Sequence, residues 1–411
     1  MNNELLQRFL RYAAIDTQSS ENGTRQPSTT GQWKLLHLLQ DELSQMGIHN
    51  SLSKHGYLYA HIPANTDKPC ASIGFVAHVD TSPDVSGKDI KPCVIENYNG
   101  NDILLNPEHD IWLRTADYPE LRQYKGQTII ATDGTTLLGA DDKAGVAAIM
   151  RAAETLVSNP SIKHGRMCIA FTPDEEVGRG TENFDLEQFG AQYAYTIDGG
   201  AVGELEYECF NAASATVSIC GHNIHPGYAK GRMTNALLVA MEINAMLPAE
   251  RPDNTEGYEG FFHLTQINGT VEQSTMHYII RDHNNTSFEL RKQQIINAID
   301  EINHRYGKVA TVQITDSYRN MRQFVEPHME VVDWAKEAMR MAGIEPVVVP
   351  IRGGTDGAAL SAQGLPCPNI FAGGHNFHSR MEYVPLQSIE KATAVILNIL
   401  QVAQKNNEKT K

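Results

Sequence analysis

The sequence predicts an α/β fold with helices on both faces of a sheet, interrupted by a smaller α+β domain. Two observations predict this fold. Early in the chain and again near its end, short apolar strands alternate with helices, an order typical of α/β layers. From about Glu206 onward, the strands instead alternate apolar and polar residues, as half-exposed strands do. Because 411 residues favour two domains, we expect a larger domain formed by residues 1–207 and 319–411, and an insert at 208–318.

After its first segment, the first part of the larger domain contains four predicted strands and two predicted helices. The segment STTGQWKLLHLLQDELSQMG has apolar residues at helical spacing, with Ser28 as its cap and Gly47 as its stop. The segment DDKAGVAAIMRAAETLV is small and apolar, so we expect a buried helix. The strands are YLYAHI, SIGFVAHVD, RMCIAF and YAYTID.

The insert and the second part of the larger domain complete the predicted layers. In the insert, the strands NAASATVSICG and KVATVQITDSY flank the helices TNALLVAMEINAML and SFELRKQQIINAIDEINHRYG. The second part contains the helix HMEVVDWAKEAMRMAG, the strands PVVVPI and PCPNIFAGG, and the closing helix PLQSIEKATAVILNILQVAQ.

Composition and charge limit the partners. A net charge of −15 disfavours nucleic acid and anionic membranes, and suits a protein that binds metal cations. No apolar run is long enough to span a membrane. The first segment, MNNELLQRFLRYAAID, has charges within its apolar pattern, so we expect an amphipathic helix and not a signal peptide. The six cysteines form no CxxC pair. We therefore expect a cytoplasmic protein with reduced thiols.

Acidic residues and histidines collect at the ends of the predicted strands, where α/β sheets bind ligands. They are His78, Asp80, Glu175, Glu176, Asp198 and His378, with Asp141 at the start of a helix. Each alone has an ordinary explanation as a helix cap, a turn or a packed residue. Together they favour a site for zinc or a similar metal, since imidazole and carboxylate are zinc ligands. The motifs HExxH, GxSxG and GxxxxGK[ST] are absent, which excludes a zincin helix, a nucleophile elbow and a P-loop.

Six motifs, in order along nearly the whole chain, resemble one family. They are GFVAHVDTSPD, LLGADDKAG, AFTPDEEVG, YTIDGG, IRGGTDG and GGHNFHSRMEYV. The set is similar to the aminotripeptidases of the peptidase T type, a branch of the two-zinc exopeptidases that also include carboxypeptidase G and the amino-acylases. The resemblance implies a mixed-sheet zinc-exopeptidase catalytic domain, with the α+β insert as a lid domain.

The resemblance also implies a ligand set. One zinc is expected on His78 and Asp198, the other on Glu176 and His378, with Asp141 bridging them. A cis peptide bond is expected between Asp141 and Asp142. Spacing alone leaves His375 as an alternative to His378, and the resemblance favours His378 because the acidic Glu382 follows it closely.

Further roles follow from this ligand set. Asp80 lies two residues after His78 and faces the same way on a strand, so it can hold the other ring nitrogen of His78. Adjacent side chains on extended backbone point in opposite directions. We therefore expect Glu176 to bind metal and Glu175 to act as the general base. Asp174 is expected to be exposed, without a role.

Candidate substrate contacts lie in the insert and near IRGGTDG. His225 resembles the family histidine that polarises the scissile carbonyl, although the residues alone favour a loop histidine beside Pro226. Arg281 and Arg352 are candidates for binding the substrate carboxylate, or for structural ion pairs.

The function that the resemblance implies is hydrolysis of the N-terminal peptide bond of tripeptides by a two-zinc-activated water. The expected cofactors are two Zn²⁺ ions per subunit, with Co²⁺ or Mn²⁺ as substitutes. The expected partners are small peptides, and a homodimer is a possible assembly. A dipeptidase or an N-acyl amino acid deacylase with the same two-metal site is one alternative. A metal-binding or peptide-binding protein without catalysis is another.

Overall fold

The computed structural model describes residues 3–406. The α-helices in this range are α1 (Asn3–Ala13), α2 (Thr30–Gln45), α3 (Ala140–Ser158), α4 (Leu186–Phe189), α5 (Ala236–Met246), α6 (Asn285–Tyr306), α7 (Arg322–Val325), α8 (Glu330–Met341), α9 (Asp356–Ala362) and α10 (Leu386–Asn406). No helix within these residues combines the length and the hydropathy needed to cross a membrane.

The strands of the same range are β1 (His49–Leu52), β2 (Leu58–Ile62), β3 (Ile73–His78), β4 (Pro92–Ile95), β5 (Ile103–Asn106), β6 (Ile111–Leu113), β7 (Ile129–Thr132), β8 (Met167–Thr172), β9 (Tyr193–Gly199), β10 (Glu204–Glu206), β11 (Asn211–Cys220), β12 (Phe261–Gly269), β13 (Gln273–Asp282), β14 (Ala310–Tyr318), β15 (Val347–Val348), β16 (Asn369–Phe371) and β17 (Val384–Pro385).

The chain divides into two compact units. The smaller unit consists of Glu208–Arg322 and Pro350–Gly354, and the larger unit contains the rest of the described chain. The short segment Pro350–Gly354, which includes most of the motif IRGGTDG, thus groups with the smaller unit. The division into a catalytic domain and a lid domain stays a prediction.

The larger unit is built on an eight-stranded mixed sheet in the order β1-β2-β8-β3-β9-β16-β10-β15. Its helices lie on both faces. Two neighbouring residues of β9, which point to opposite sides of the sheet, contact different helices. On β9, Ala194 packs in a cluster with Phe189 of α4 and Leu360 of α9. The next residue, Tyr195, donates its hydroxyl to the carbonyl of Val331 in α8. The predicted α/β architecture with a mixed sheet is therefore confirmed.

The parallel centre of this sheet determines where the site lies. β3 is paired in parallel with β8 on one side and β9 on the other. Their carboxyl ends therefore meet at one edge of the sheet, and α3, which begins at Ala140, packs against both β3 and β9. His78 is the last residue of β3, Asp198 is the last residue but one of β9, and the segment from Asp174 to Glu176 follows the end of β8.

Several elements of the larger unit differ from the prediction. The cap of α2 is Thr29 and not Ser28, and Gln32 is buried in this helix beside the expected leucines. The three-stranded sheet β17-β7-β4 and the hairpin β5-β6 were not predicted. These strands have three or four residues, or two for β17, which is too short for a clear alternation of apolar and polar residues.

The smaller unit is a four-stranded antiparallel sheet in the order β12-β13-β11-β14, covered by α5 and α6. Alternate residues of β11, such as Ala215 and Val217, join the buried cluster with Ile243 of α5 and Ile299 of α6. The alternation predicted for NAASATVSICG is thus present. The central strand β13 and its edge partner β12 were not predicted.

Candidate metal centre

His78 and Asp198 form a first group of possible metal ligands together with Asp141. Nε2 of His78 lies 3.0 Å from Oδ1 of Asp141 and 3.3 Å from Oδ1 of Asp198. In each group of this kind, the ligand atoms lie within 4.8 Å of one another. The imidazole is buried at the end of β3, and burial raises the pKa of Asp198 to about 7. A cation at this point would favour the ionised carboxylate.

Glu176 and His378 form a second group, again with Asp141. Nε2 of His378 lies 2.9 Å from Oε2 of Glu176 and 3.3 Å from Oδ2 of Asp141. Hydrogen bonds to Asp141 and Glu176 raise the pKa of His378 to about 11. The second oxygen of Glu176, Oε1, is buried and has no hydrogen-bond partner. A carboxylate oxygen in that state fits a metal ligand, because a bound cation would compensate its lost hydration.

Asp141 belongs to both groups and divides its carboxylate between them. Its Oδ1 faces His78 and its Oδ2 faces His378. This arrangement would allow the carboxylate to bridge two ions. The peptide bond between Asp141 and Asp142 is cis, as the resemblance predicted.

Asp80 connects the first group of possible ligands to the acidic turn, the segment from Asp174 to Glu176. Its Oδ1 lies 3.4 Å from Nδ1 of His78, and its backbone carbonyl lies 3.1 Å from the same nitrogen. The carboxylate also accepts the backbone N–H groups of Glu175 at 3.0 Å and Glu176 at 3.1 Å. Asp80 therefore contacts both the imidazole and the turn that contains the two glutamates. Sequence reasoning did not predict its contact with the turn.

The acidic turn differs from the expected extended backbone. Glu175–Val177 is a single 3-10 turn, so the two glutamates diverge along a helical turn and not along a strand. Burial raises the pKa of the Glu175 carboxyl well above its usual value, although the nearby His78 opposes this shift. Burial likewise raises the pKa of Glu176 to about 7.

Asp174 is buried and bonded, so the expectation of an exposed residue without a role was wrong. Its side chain is 0% exposed. It accepts hydrogen bonds from the backbone N–H and hydroxyl of Ser28 and, at 2.7 Å, from the amide of Gln32. The backbone N–H of Asp174 in turn donates to Gln32 Oε1 at 3.2 Å. Asp174 thus anchors the acidic turn to the start of α2, and the unexpected burial of Gln32 has the same cause.

Two more residues near the ligands were missed by sequence reasoning. Oδ2 of Asp84 lies 3.2 Å from Nδ1 of His378, the nitrogen that faces away from Asp141. Oδ1 of Asn369 accepts the backbone N–H of Asp198 at 3.2 Å. Asp84 is in the motif GFVAHVDTSPD, only six residues after His78. Its partner is far away in sequence, so no local pattern indicates the pair.

His375 lies apart from both groups of possible ligands. Its Nε2 is 2.6 Å from the hydroxyl of Tyr124, and its ring stacks on Tyr383 with a centroid distance of 4.9 Å. Burial lowers the pKa of His375 to about 4, which favours the neutral ring. Of the two histidines that spacing allowed, His378 is the one beside Asp141 and Glu176.

The candidate substrate contacts lie in the smaller unit. His225 is exposed, and its Nδ1 accepts the backbone N–H of Gly227 at 3.1 Å. Arg281 donates to the carbonyl of Arg352 at 3.1 Å, while its buried Nε has no partner.

Arg352 is occupied by structural contacts. It donates to the carbonyls of Gly257 and Glu259 and to Thr255, and its guanidinium lies over the ring of Phe210 at 5.1 Å. These contacts hold the loop before β12 and leave little donor capacity for a substrate.

Known proteins match this chain over most of its length. A family model described as peptidase family M20/M25/M40 matches residues 133–402. A curated relative called peptidase T, from Desulfitobacterium hafniense (strain DSM 10664 / DCB-2), is 53% identical over 400 residues, or 97% of this chain and 98% of the relative. The match confirms the resemblance predicted from the six motifs.

Solved structures share the fold. The structure of aminopeptidase PepT from Bacillus cereus ATCC 10987 has a TM-score of 0.78 at 23% identity, covering 98% of this chain and 99% of that chain. A protein from Bacillus subtilis, described as a dinuclear metal-binding peptidase from the M20 family, has a TM-score of 0.69 at 14% identity, covering 98% of both chains.

Proposed function

Since this chain belongs to peptidase family M20/M25/M40, we propose that it is a metal-dependent aminopeptidase that removes the N-terminal residue of tripeptides. The observation that supports this most strongly is the position of Asp141. Its two carboxylate oxygens belong to two separate groups of possible metal ligands, which is the arrangement a two-metal hydrolase requires. The relative named peptidase T supports the substrate class.

The proposed cofactors are two Zn²⁺ ions, with Co²⁺ or Mn²⁺ as substitutes. His78 and Asp198 would hold one ion, Glu176 and His378 the other, and Asp141 both. Two imidazoles and three carboxylates suit zinc, and the unpartnered, buried Oε1 of Glu176 supports a cation beside it. When bound, the ions would polarise the scissile carbonyl and make a water acidic enough to lose a proton near neutral pH.

The chain itself would supply the proton transfer. Glu175 is the proposed general base: its carboxylate takes a proton from the attacking water and passes it to the nitrogen of the leaving amine. Its backbone N–H is held by Asp80, and Asp174 holds the start of the same turn. The turn is therefore fixed at two points before substrate binds, which favours a precise position for the base. Asp80 also sets the orientation of the His78 ring.

Substrate recognition is proposed for two residues of the smaller unit. Arg281 would bind the C-terminal carboxylate of the peptide, because its buried Nε still lacks a partner. His225 would polarise the scissile carbonyl and stabilise the oxyanion, and its exposed ring supports this role. Arg352 is proposed as a structural residue. We further propose that the protein acts in the cytoplasm on small peptides, with a homodimer as a possible assembly.

The experiment that tests this function compares a tripeptide with its N-acetylated form and with the corresponding dipeptide and tetrapeptide. An aminotripeptidase cleaves the free tripeptide fastest and releases its first residue, which amino acid analysis identifies. Equal or faster cleavage of the acetylated peptide would instead indicate a deacylase, and a preference for the dipeptide a dipeptidase. Tight zinc binding with no turnover of any peptide would indicate a binding protein without catalysis.

A further inference from the structure

Glu382 is a buried carboxylate that no proposed step of the reaction uses. Its side chain is 1% exposed. Its Oε2 accepts the backbone N–H groups of Leu138 at 2.7 Å and Gly139 at 2.8 Å, and its Oε1 accepts that of Asp141 at 3.0 Å. Three N–H groups from one short segment therefore converge on a single carboxylate.

These three N–H groups lie at the entry to α3: Leu138 and the cap residue Gly139 precede its first residue, Ala140, and Asp141 is in its first turn. Backbone amides at the start of a helix have no acceptor within the helix. Here the backbone also departs from helical geometry: Gly139 is left-handed with φ 77°, and Asp141 has ψ 106°. An ionised carboxylate has only acceptor sites, so it can satisfy all three donors. Its negative charge also complements the positive end of the helix.

Glu382 also lies in the loop that contains His378, four residues further along the chain. His378 has a left-handed backbone with φ 58°, which is uncommon for a residue other than glycine. In the same loop, the amide of Asn376 donates to the carbonyl of Met381 at 3.0 Å, next to Glu382. The carboxylate therefore joins the segment that contains Asp141 to the loop that contains His378.

We propose that Glu382 is a positioning residue of the metal centre, a role that rests on the proposed function. By holding the backbone N–H of Asp141, it sets the direction in which the bridging carboxylate points. By joining the two segments, it fixes Oδ2 of Asp141 relative to Nε2 of His378, which lie 3.3 Å apart. Glu382 is in neither group of possible metal ligands, so its contribution is the geometry of the second group.

The substitution Glu382→Gln tests this role with little change in volume. Glutamine has one acceptor oxygen and one NH₂ group. At least one of the three backbone N–H groups then faces another donor. We expect the ion held by Asp141, Glu176 and His378 to bind about 10–100-fold more weakly, as when other residues that orient metal ligands are replaced. Competition with a chromogenic chelator measures this affinity. The visible spectrum of the Co²⁺ form reports the ligand geometry and should change.

A matched control is Asp282→Asn in the smaller unit. Asp282 is also a buried carboxylate, 4% exposed, and accepts the backbone N–H of Asn284 at 2.9 Å and Nε of Arg291 at 2.8 Å. This variant should lose thermal stability but bind zinc as the wild type does. Glu382→Asp, which keeps both acceptor oxygens but is one methylene shorter, should bind zinc with intermediate affinity.

The outcomes separate this inference from the proposed function. Weaker zinc binding and a changed cobalt spectrum in a folded Glu382→Gln variant, with neither in Asp282→Asn, support the positioning role. Wild-type zinc affinity in Glu382→Gln, with only a loss of stability, would overturn it. If Glu382→Gln does not fold, wild-type affinity in Glu382→Asp would overturn it equally. A wild-type protein that binds no second ion would refute the proposed two-metal function itself, and this role with it.

Discussion

Substituting glutamine for either of the two adjacent glutamates of the acidic turn should lower activity, but for different reasons. Glu176 is in the second group of possible ligands, whereas Glu175 is in neither group. Replacing Glu175 therefore leaves every ligand of both ions in place. A general base contributes about 10²–10⁴-fold in rate, which corresponds to about 3–5 kcal/mol of activation free energy. We expect kcat of Glu175→Gln to fall by that factor, with both ions retained.

Glu176→Gln is the matched change one residue away. It replaces a carboxylate that lies 2.9 Å from Nε2 of His378 and leaves the proposed base in place. Because a ligand itself is altered, we expect the second ion to bind more than about 100-fold more weakly, beyond the effect of residues that only orient ligands. Excess zinc should restore part of its activity, which it should not do for Glu175→Gln.

The assay is tripeptide hydrolysis at several zinc concentrations, combined with metal analysis of both purified variants by mass spectrometry. Circular dichroism of each variant controls for folding. If Glu175→Gln loses an ion while Glu176→Gln keeps two, the two roles are reversed. If neither substitution changes rate or metal content, the acidic turn takes no part in catalysis and the proposed mechanism is wrong.

Four other changes have defined outcomes. Asp174→Ala removes the acceptor of the 2.7 Å hydrogen bond from the buried amide of Gln32, and of the hydrogen bonds from Ser28, and should lower the free energy of unfolding by about 1–3 kcal/mol, measured by urea denaturation; an unchanged midpoint would contradict the anchoring role. Arg281→Ala should raise KM for a tripeptide about 10–100-fold, the value of a lost charged hydrogen bond. Arg352→Ala should instead lower the thermal midpoint with little change in KM, and the opposite pattern would exchange their roles. Treatment with 1,10-phenanthroline should abolish hydrolysis without unfolding the protein, and added Zn²⁺ or Co²⁺ should restore it; full activity in the chelator would exclude a metal-dependent reaction.

The sequence predicted the features that depend on local patterns. The strand SIGFVAHVD and the helix DDKAGVAAIMRAAETLV have strong apolar patterns, and both are present as β3 and α3. His78 and Asp198 lie at the carboxyl ends of β3 and β9. These ends meet at one edge of the sheet because the two strands are parallel, as the alternation of strands and helices already indicated. The combination of Asp141 with His378 came from the resemblance, since no local pattern relates two residues so far apart.

The features that the sequence did not predict depend on contacts between distant segments. Asp174 resembles an exposed turn residue until Gln32 and Ser28 are brought beside it by the packing of α2. Arg352 was a candidate for substrate binding or for a structural ion pair, and its hydrogen bonds to the loop around Gly257 are visible only in the structure. In both cases a polar side chain is held by specific partners, and those partners are visible only in the folded chain.

The most direct test of the two-metal centre is a crystal structure of the zinc-loaded protein with anomalous data collected on both sides of the zinc absorption edge. We predict two anomalous peaks about 3.5–4 Å apart, one beside His78 and Asp198 and the other beside Glu176 and His378, with one oxygen of Asp141 directed at each. A single peak, or two peaks that do not share Asp141, would contradict the account.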